Sequence, residues 1–162
     1  MSLSRRAFLV VSLATLAACG FTPVYAPSGA GNGLRNAILV GEPDSRNEFA
    51  FVSQMEQRLG RAQAAPYALN YTIETRSEGV GITPAQETTR YNLFGMVTYD
   101  VIDRASGAKV SSGVVENFTG YSATSLIVGT RSVTRDANER LMVILADQVV
   151  TRLIATSKDW LR

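Results

Sequence analysis

The sequence has no histidine and a single cysteine, Cys19, among its 162 residues. Histidine and cysteine supply most transition-metal ligands and most nucleophile–base pairs, so their scarcity excludes the usual metal centres and Cys–His or Ser–His catalysis. One cysteine also excludes a disulfide within the chain. We therefore expect a domain stabilised by packing alone, without a cofactor.

A long apolar run is also missing. Residues 7–17 form an apolar stretch behind Arg5 and Arg6, and this stretch is too short to span a bilayer as a helix. A charged start, a short apolar stretch and small residues at its end are the parts of an export signal. Residues 16–19, Leu-Ala-Ala-Cys, are typical of a lipobox, the cleavage and lipidation motif of bacterial lipoproteins.

The lipobox predicts a covalent lipid on the Cys19 sulfur, with cleavage just before that residue. Two or three acyl chains anchor a protein stably, because each buried methylene adds about 0.8 kcal/mol. The sequence then divides into a signal peptide (1–18), a lipidated flexible tether rich in glycine and proline (19–33) and a single domain (34–162).

Two further features of this region concern export and sorting. Gly20, and not an aspartate, follows Cys19. This resembles the lipoproteins that are sorted to the outer membrane, and it implies a lipid-anchored position on the periplasmic side. Residues 4–9, Ser-Arg-Arg-Ala-Phe-Leu, also resemble a twin-arginine signal, so the general secretory and twin-arginine routes both stay open.

The charge balance bears on possible partners. Removing residues 1–18 takes away two arginines and no acids, which leaves 16 − 2 = 14 basic against 14 acidic residues. Nonspecific affinity for nucleic acid comes from a net basic surface, so a neutral mature chain argues against a nucleic-acid partner. Its length, 162 − 18 = 144 residues, suits one domain with a sizeable core.

Apolar periodicity gives a coarse architecture. Ser45 and Glu48 form a capping box before a helix that carries Phe51 and Met55 and ends at Gly60. The patterns predict strands at 34–40, 67–73, 91–102 and 110–121 and a second, amphipathic helix at 134–155. The expected fold is α+β: a two-layer sandwich of β-α-β-β-β-α order, with a mostly antiparallel four-stranded sheet and both helices on one face.

Three details of the predicted sheet are informative. Residues 77–89 lack apolar periodicity and are expected to form an exposed, mobile loop. Gly95 marks either a bulge or a close backbone approach. Phe94, Met96 and Ile102 point away from the tyrosine-bearing face of their strand, so they form either an exposed contact surface or a further part of the core.

A family resemblance rests on the ordered combination of these features. Residues 19–25, Cys-Gly-Phe-Thr-Pro-Val-Tyr, the β-α-β-β-β-α order, the strand from Arg90 onward and the final helix resemble the LptE family of lipopolysaccharide-assembly lipoproteins. The resemblance implies a non-enzymatic outer-membrane lipoprotein. It would sit largely inside the LptD β-barrel, support assembly of that barrel and help deliver lipopolysaccharide to the outer leaflet.

Lipopolysaccharide carries phosphates, so basic side chains along its path are candidate contacts. Those candidates are Arg90, Arg131, Arg135 and Arg140. Asp136 and Glu139 lie among them, and a role as ordinary solvated surface arginines stays open.

Two other classes of function share features of this sequence or would need features that it lacks. An auxiliary lipoprotein of an ABC-type lipid transport system would share the anchor and a small α+β domain. A membrane-anchored enzyme would need a catalytic constellation, but Ser111 and Ser112 lack a histidine base, and the glycines at 79 and 81 lack the spacing and lysine of a P-loop.

Overall fold

A computed structural model describes residues 23–26, 29–82, 88–122 and 127–161. Its elements in chain order are α1 (Ala30–Leu34), β1 (Ile38–Val40), α2 (Arg46–Leu59), β2 (Tyr67–Ile82), β3 (Thr88–Asp103), β4 (Lys109–Ser122) and α3 (Ile127–Trp160). The predicted β-α-β-β-β-α order is confirmed. The first strand is shorter than the predicted 34–40: it begins at Ile38, and Leu34 instead ends the short helix α1, which reaches back into the stretch expected to be a tether. The signal peptide and Cys19 lie outside the described residues.

The four strands form one sheet in the order β1-β2-β3-β4. β1 pairs with β2 in parallel, because helix α2 carries the chain back between them, and the other two pairings are antiparallel. The α+β class and the mostly antiparallel sheet are therefore confirmed, with one parallel pair at the β1 edge.

The predicted loop at residues 77–89 is wrong for most of its length. β2 continues to Ile82, with Ser77 opposite Leu93 and Gly79 opposite Tyr91, and the register shifts on either side of Gly81. Residues 77–80 are exposed, as expected. Because none of the described helices covers this end of β2, its side chains do not alternate between core and solvent, and the sequence shows no period of two. Residues 83–87 of the predicted loop lie outside the described residues.

Local signals set the ends of α2. The Ser45 hydroxyl accepts a hydrogen bond from the Glu48 backbone N–H at 3.2 Å, as a capping box requires. Gly60 ends the helix at φ 85°, a left-handed conformation that favours glycine. Phe51, Met55 and Leu59 are buried along one side of the helix, as the four-residue spacing predicts.

Helix α3 is longer than the predicted 134–155. Its apolar face is buried as expected, with Met142, Ala146, Val149 and Leu153 in the core. At its C-terminal end Trp160 packs edge-on against Tyr67, with 5.1 Å between ring centroids, and the Tyr67 hydroxyl donates to the Trp160 carbonyl oxygen. This tertiary contact extends the helix beyond the periodic segment.

Both long helices pack on the same face of the sheet, and one apolar core joins the two layers. α3 crosses β3 at Gly95, where a Cβ atom would lie 2.8 Å from Leu145 Cδ1 and 2.9 Å from Leu141 Cδ2. The register on both sides of Gly95 is regular. Of the two predicted roles for Gly95, the close approach is confirmed.

Candidate interaction surfaces

The face of the sheet that no described helix covers carries an apolar patch. Along β3, Leu93, Val97 and Val101 are buried, while Phe94 and Met96 lie between them on the opposite face and are outside the core. Phe118 of β4 is directly opposite Phe94. We call Phe94, Met96 and Phe118 the outer-face patch. Of the two interpretations given for this face, the structure favours an exposed surface.

Charged side chains border the outer-face patch. The Arg76 guanidinium lies over the Phe94 ring, 4.5 Å from its centroid, and also pairs with Glu78. The Phe94 and Phe118 ring centroids are 5.6 Å apart, and Phe118 is 55% exposed. Glu74 and Glu116 line the same shallow cavity of about 490 Å³. An aromatic centre with a charged rim is the pattern of a protein contact surface.

The four arginines predicted as lipopolysaccharide contacts do not form a single site. Arg90 of β3 and Arg140 of α3 line one cavity of about 490 Å³ beside Tyr121. The Arg140 guanidinium also pairs with the Asp136 carboxylate of its own helix at 3.0 Å. This pairing leaves Arg140 less available to an outside anion.

Arg131 and Arg135 instead line a groove of about 870 Å³ between α2 and α3. Arg46, at the start of α2, joins them there. The sequence did contain a signal for Arg46: it directly follows the Ser45 cap, a position where the helix macrodipole disfavours a cation. We call this region the interhelical groove.

Polar contacts across the interhelical groove fix the two helices relative to each other. The Asn47 side-chain amide donates to Asn138 Oδ1 at 3.0 Å. About two helical turns further along α2, Gln54 Nε2 donates to Asp147 Oδ1 at 2.9 Å. Because residue numbers increase together on both helices, α2 and α3 run parallel, and their positive N-terminal ends point the same way.

An ion pair lies beside the C-terminal half of α2. Arg58 Nε donates to Asp147 Oδ1 at 2.9 Å. The hydrogen bond from Arg58 is the main cause that lowers the pKa of Asp147, with Gln54 adding to it. The same bond raises the pKa of Arg58.

The described residues include no cluster of three or more His, Cys, Asp or Glu side chains placed to hold a metal ion. Burial raises the pKa of Tyr71 to about 12, with nearby Glu48 and Asp44 adding to the effect, so its phenol stays neutral at ordinary pH. No helix in these parts of the chain is both long and apolar enough to cross a bilayer.

Comparison with known proteins adds to this geometry. The model of the LptE family, described as lipopolysaccharide-assembly, matches residues 35–153. No curated protein matches the chain.

Several solved lipoprotein structures are similar in fold. A candidate lipoprotein of Caulobacter crescentus CB15 superposes with a TM-score of 0.67 at 20% identity, over 81% of this chain and 96% of the other. Rare lipoprotein B of Shewanella oneidensis gives a TM-score of 0.59 at 11% identity, over 75% and 95%. A minor lipoprotein of Acinetobacter baumannii gives 0.51 at 16% identity, over 74% and 90%. At these identities the likeness is one of fold.

Proposed function

Since the chain belongs to the LptE family of lipopolysaccharide-assembly lipoproteins, we propose that it acts as the outer-membrane lipoprotein partner of an LptD-like β-barrel. In this proposal the folded domain sits largely within the barrel, supports barrel assembly and assists delivery of lipopolysaccharide to the outer leaflet. Its role is to bind and position, without enzymatic chemistry.

The uncovered outer face of the sheet is the observation that carries this proposal. The lumen of a wide barrel is lined by polar side chains, so a domain that fills it needs a largely polar surface with local contact points. The outer face meets that need: it is polar along most of β2 and β4, and its aromatic side chains are concentrated at the outer-face patch.

Membrane attachment in the proposal comes from acyl chains on Cys19. The sequence supports it through the charged and apolar export segment and the Leu-Ala-Ala-Cys run at 16–19. Replacement of Cys19 by alanine should abolish acylation, because the sulfur that would carry the lipid is removed. Mass spectrometry of the purified protein measures this, and acyl chains on the variant would contradict the lipid anchor.

Lipopolysaccharide contact in the proposal involves exposed arginines. Arg90, Arg131, Arg135 and Arg140 remain candidate phosphate ligands, but they are divided between two cavities. If the lipid passes along one side of α3, only one of these two pairs will affect its binding. Replacing each pair by glutamine in separate variants distinguishes the two routes.

The deciding experiment is a crosslinked, detergent-solubilised pull-down of the tagged protein from its own envelope, followed by mass spectrometry. We expect a single large outer-membrane β-barrel in roughly equal amount. Recovery of ABC-transport or lipid-shuttling components without such a barrel would contradict the proposal and favour the auxiliary-lipoprotein alternative.

A further inference from the structure

The interhelical groove has a charge pattern that the fold itself does not use. Arg46, Arg131 and Arg135 line it, all three are exposed, and within the described residues none of them has an ion-pair partner. Other arginines of the domain are paired with acids, among them Arg58 with Asp147 and Arg61 with Glu56. Three uncompensated guanidinium groups on one groove therefore favour an anionic occupant.

The position of Arg46 is unfavourable for a cation that has no ion-pair partner among the described residues. Arg46 stands in the first turn of α2, where the positive end of the helix dipole disfavours a cation. A cation there costs folding stability and gains nothing from the groove as it stands. An anionic group in the groove would remove that cost.

The remaining lining distinguishes between kinds of anion. The groove is also lined by Ser53, Gln57 and Thr134, and by Asn47, Gln54 and Asn138, whose amides already bond between the two helices. The Gln57 amide offers an acceptor as well as donors, and the Glu139 carboxylate on the rim is a further acceptor, to which a backbone N–H can donate. A polypeptide backbone, with N–H and C=O groups in alternation, can satisfy both kinds of partner, whereas a phosphate can only accept.

An apolar contact completes the groove. Phe49, on the α2 side, is 66% exposed, and Ala50 and Val143 lie along the same lining. An exposed aromatic beside arginines is the composition of protein-binding hot spots. We propose that the interhelical groove binds an acidic segment of a partner protein, with carboxylates on the three arginines and an apolar side chain against Phe49.

This proposal does not require the partner to be a barrel, since the chemistry recognises any extended acidic segment. Its test uses the full lipidated chain in its own envelope, with the photoreactive residue p-benzoylphenylalanine in place of Gln57. Gln57 is exposed and lines the groove. The same residue in place of Arg35, which is exposed but does not line the groove, provides the control position.

The expected result is a crosslink from position 57, and not from position 35, to a peptide that carries several aspartates or glutamates. The variant Arg46→Gln/Arg131→Gln/Arg135→Gln should lower the crosslink yield about tenfold or more, because each guanidinium loses a charge-assisted bond. A variant with the same charge change, Arg35→Gln/Arg61→Gln/Arg152→Gln, should keep it. If the triple variant accumulates poorly, the single substitution Arg131→Gln should give an intermediate loss.

Three outcomes would overturn the proposal: no crosslink above that of position 35, a crosslink that the groove variant leaves unchanged, or a crosslink only to a phosphorylated glycolipid. The last outcome would convert the groove into a lipid site. Loss of the barrel from the pull-down, with the acidic-segment crosslink intact, would contradict the proposed function alone.

Discussion

The two faces of the sheet differ in what covers them and in most of the side chains they carry. Val97 on the inner face is completely buried beneath the helices, while Phe118, a larger apolar residue on the outer face, is 55% exposed. Burial of apolar area is what stabilises a fold, so the inner face contributes most of the folding free energy. The outer face, polar along most of its length but apolar at the outer-face patch, remains available to a partner.

The sharpest way to break this comparison is to remove one apolar group from the core beneath α3 and one from the outer face. Leu145→Ala opens a cavity beneath α3 and should cost about 2–5 kcal/mol of unfolding free energy. Phe118→Ala, on the outer face, should cost about 1 kcal/mol or less, because most of that ring is already in water. Denaturant unfolding of the purified protein measures both. Equal losses would mean that the outer face is part of the core.

Gly95 tests how closely the helix layer approaches the sheet. Gly95→Ala places a methyl group within 3 Å of the Leu141 and Leu145 side chains, and we expect a loss of about 1–3 kcal/mol from overpacking. Gly120→Ala is the matched control, since its nearest neighbour would be Asn92 Oδ1 at 3.7 Å, an ordinary contact. A neutral Gly95→Ala would show that α3 can move away from β3 at little cost.

On the outer face the informative quantity is binding. Phe118→Asp puts a carboxylate into the outer-face patch and should weaken co-purification of the barrel partner about tenfold or more, as loss of an aromatic hot spot does. Its melting temperature should change little. Thr72→Asp, also exposed on the outer face but on β2, adds the same charge outside the patch and should leave binding intact. Unchanged binding of Phe118→Asp would remove the patch from the interface.

Burial on the inner face also explains which helices and strands could be predicted from the sequence. The segments that form the core between helices and sheet carried local signals. The Ser45 cap of α2, the alternation from Tyr67 and the periodic face of α3 all appear in the structure as predicted. The outer end of β2 carried none, because a strand exposed on both faces has no pattern of burial. Its pairing with β3 comes from backbone hydrogen bonds, which side-chain periodicity does not report.

The arginines show that proximity in sequence does not predict which side chains share a cavity. Arg131, Arg135 and Arg140 are close in sequence and invite a single site, yet α3 presents them to two different cavities. Arg46 is distant in sequence and joins two of them only because α2 packs parallel to α3. That packing includes the Asn47–Asn138 and Gln54–Asp147 contacts, which join residues about ninety positions apart. Local sequence patterns do not predict contacts of this kind.

The smallest expected effect concerns the ion pair that holds α2 to α3. Arg58 lowers the pKa of Asp147 in the folded state, so the pair stabilises the protein above the unfolded pKa, near 4, and this stabilisation is lost as the pH falls through the folded pKa. Both side chains are partly exposed, at 46% and 36%, so Asp147→Asn should cost only about 0.5 kcal/mol at pH 7. The difference from the parent should vanish in acid, where Asp147 is protonated in either state. Asp136→Asn, in a helix-surface pair, is the control for a simple charge change. Urea unfolding at pH 7 and pH 2.5 measures both variants, and a difference for Asp147→Asn that persists in acid would mean that the amide disturbs packing between the helices, leaving the ion pair without a measurable role.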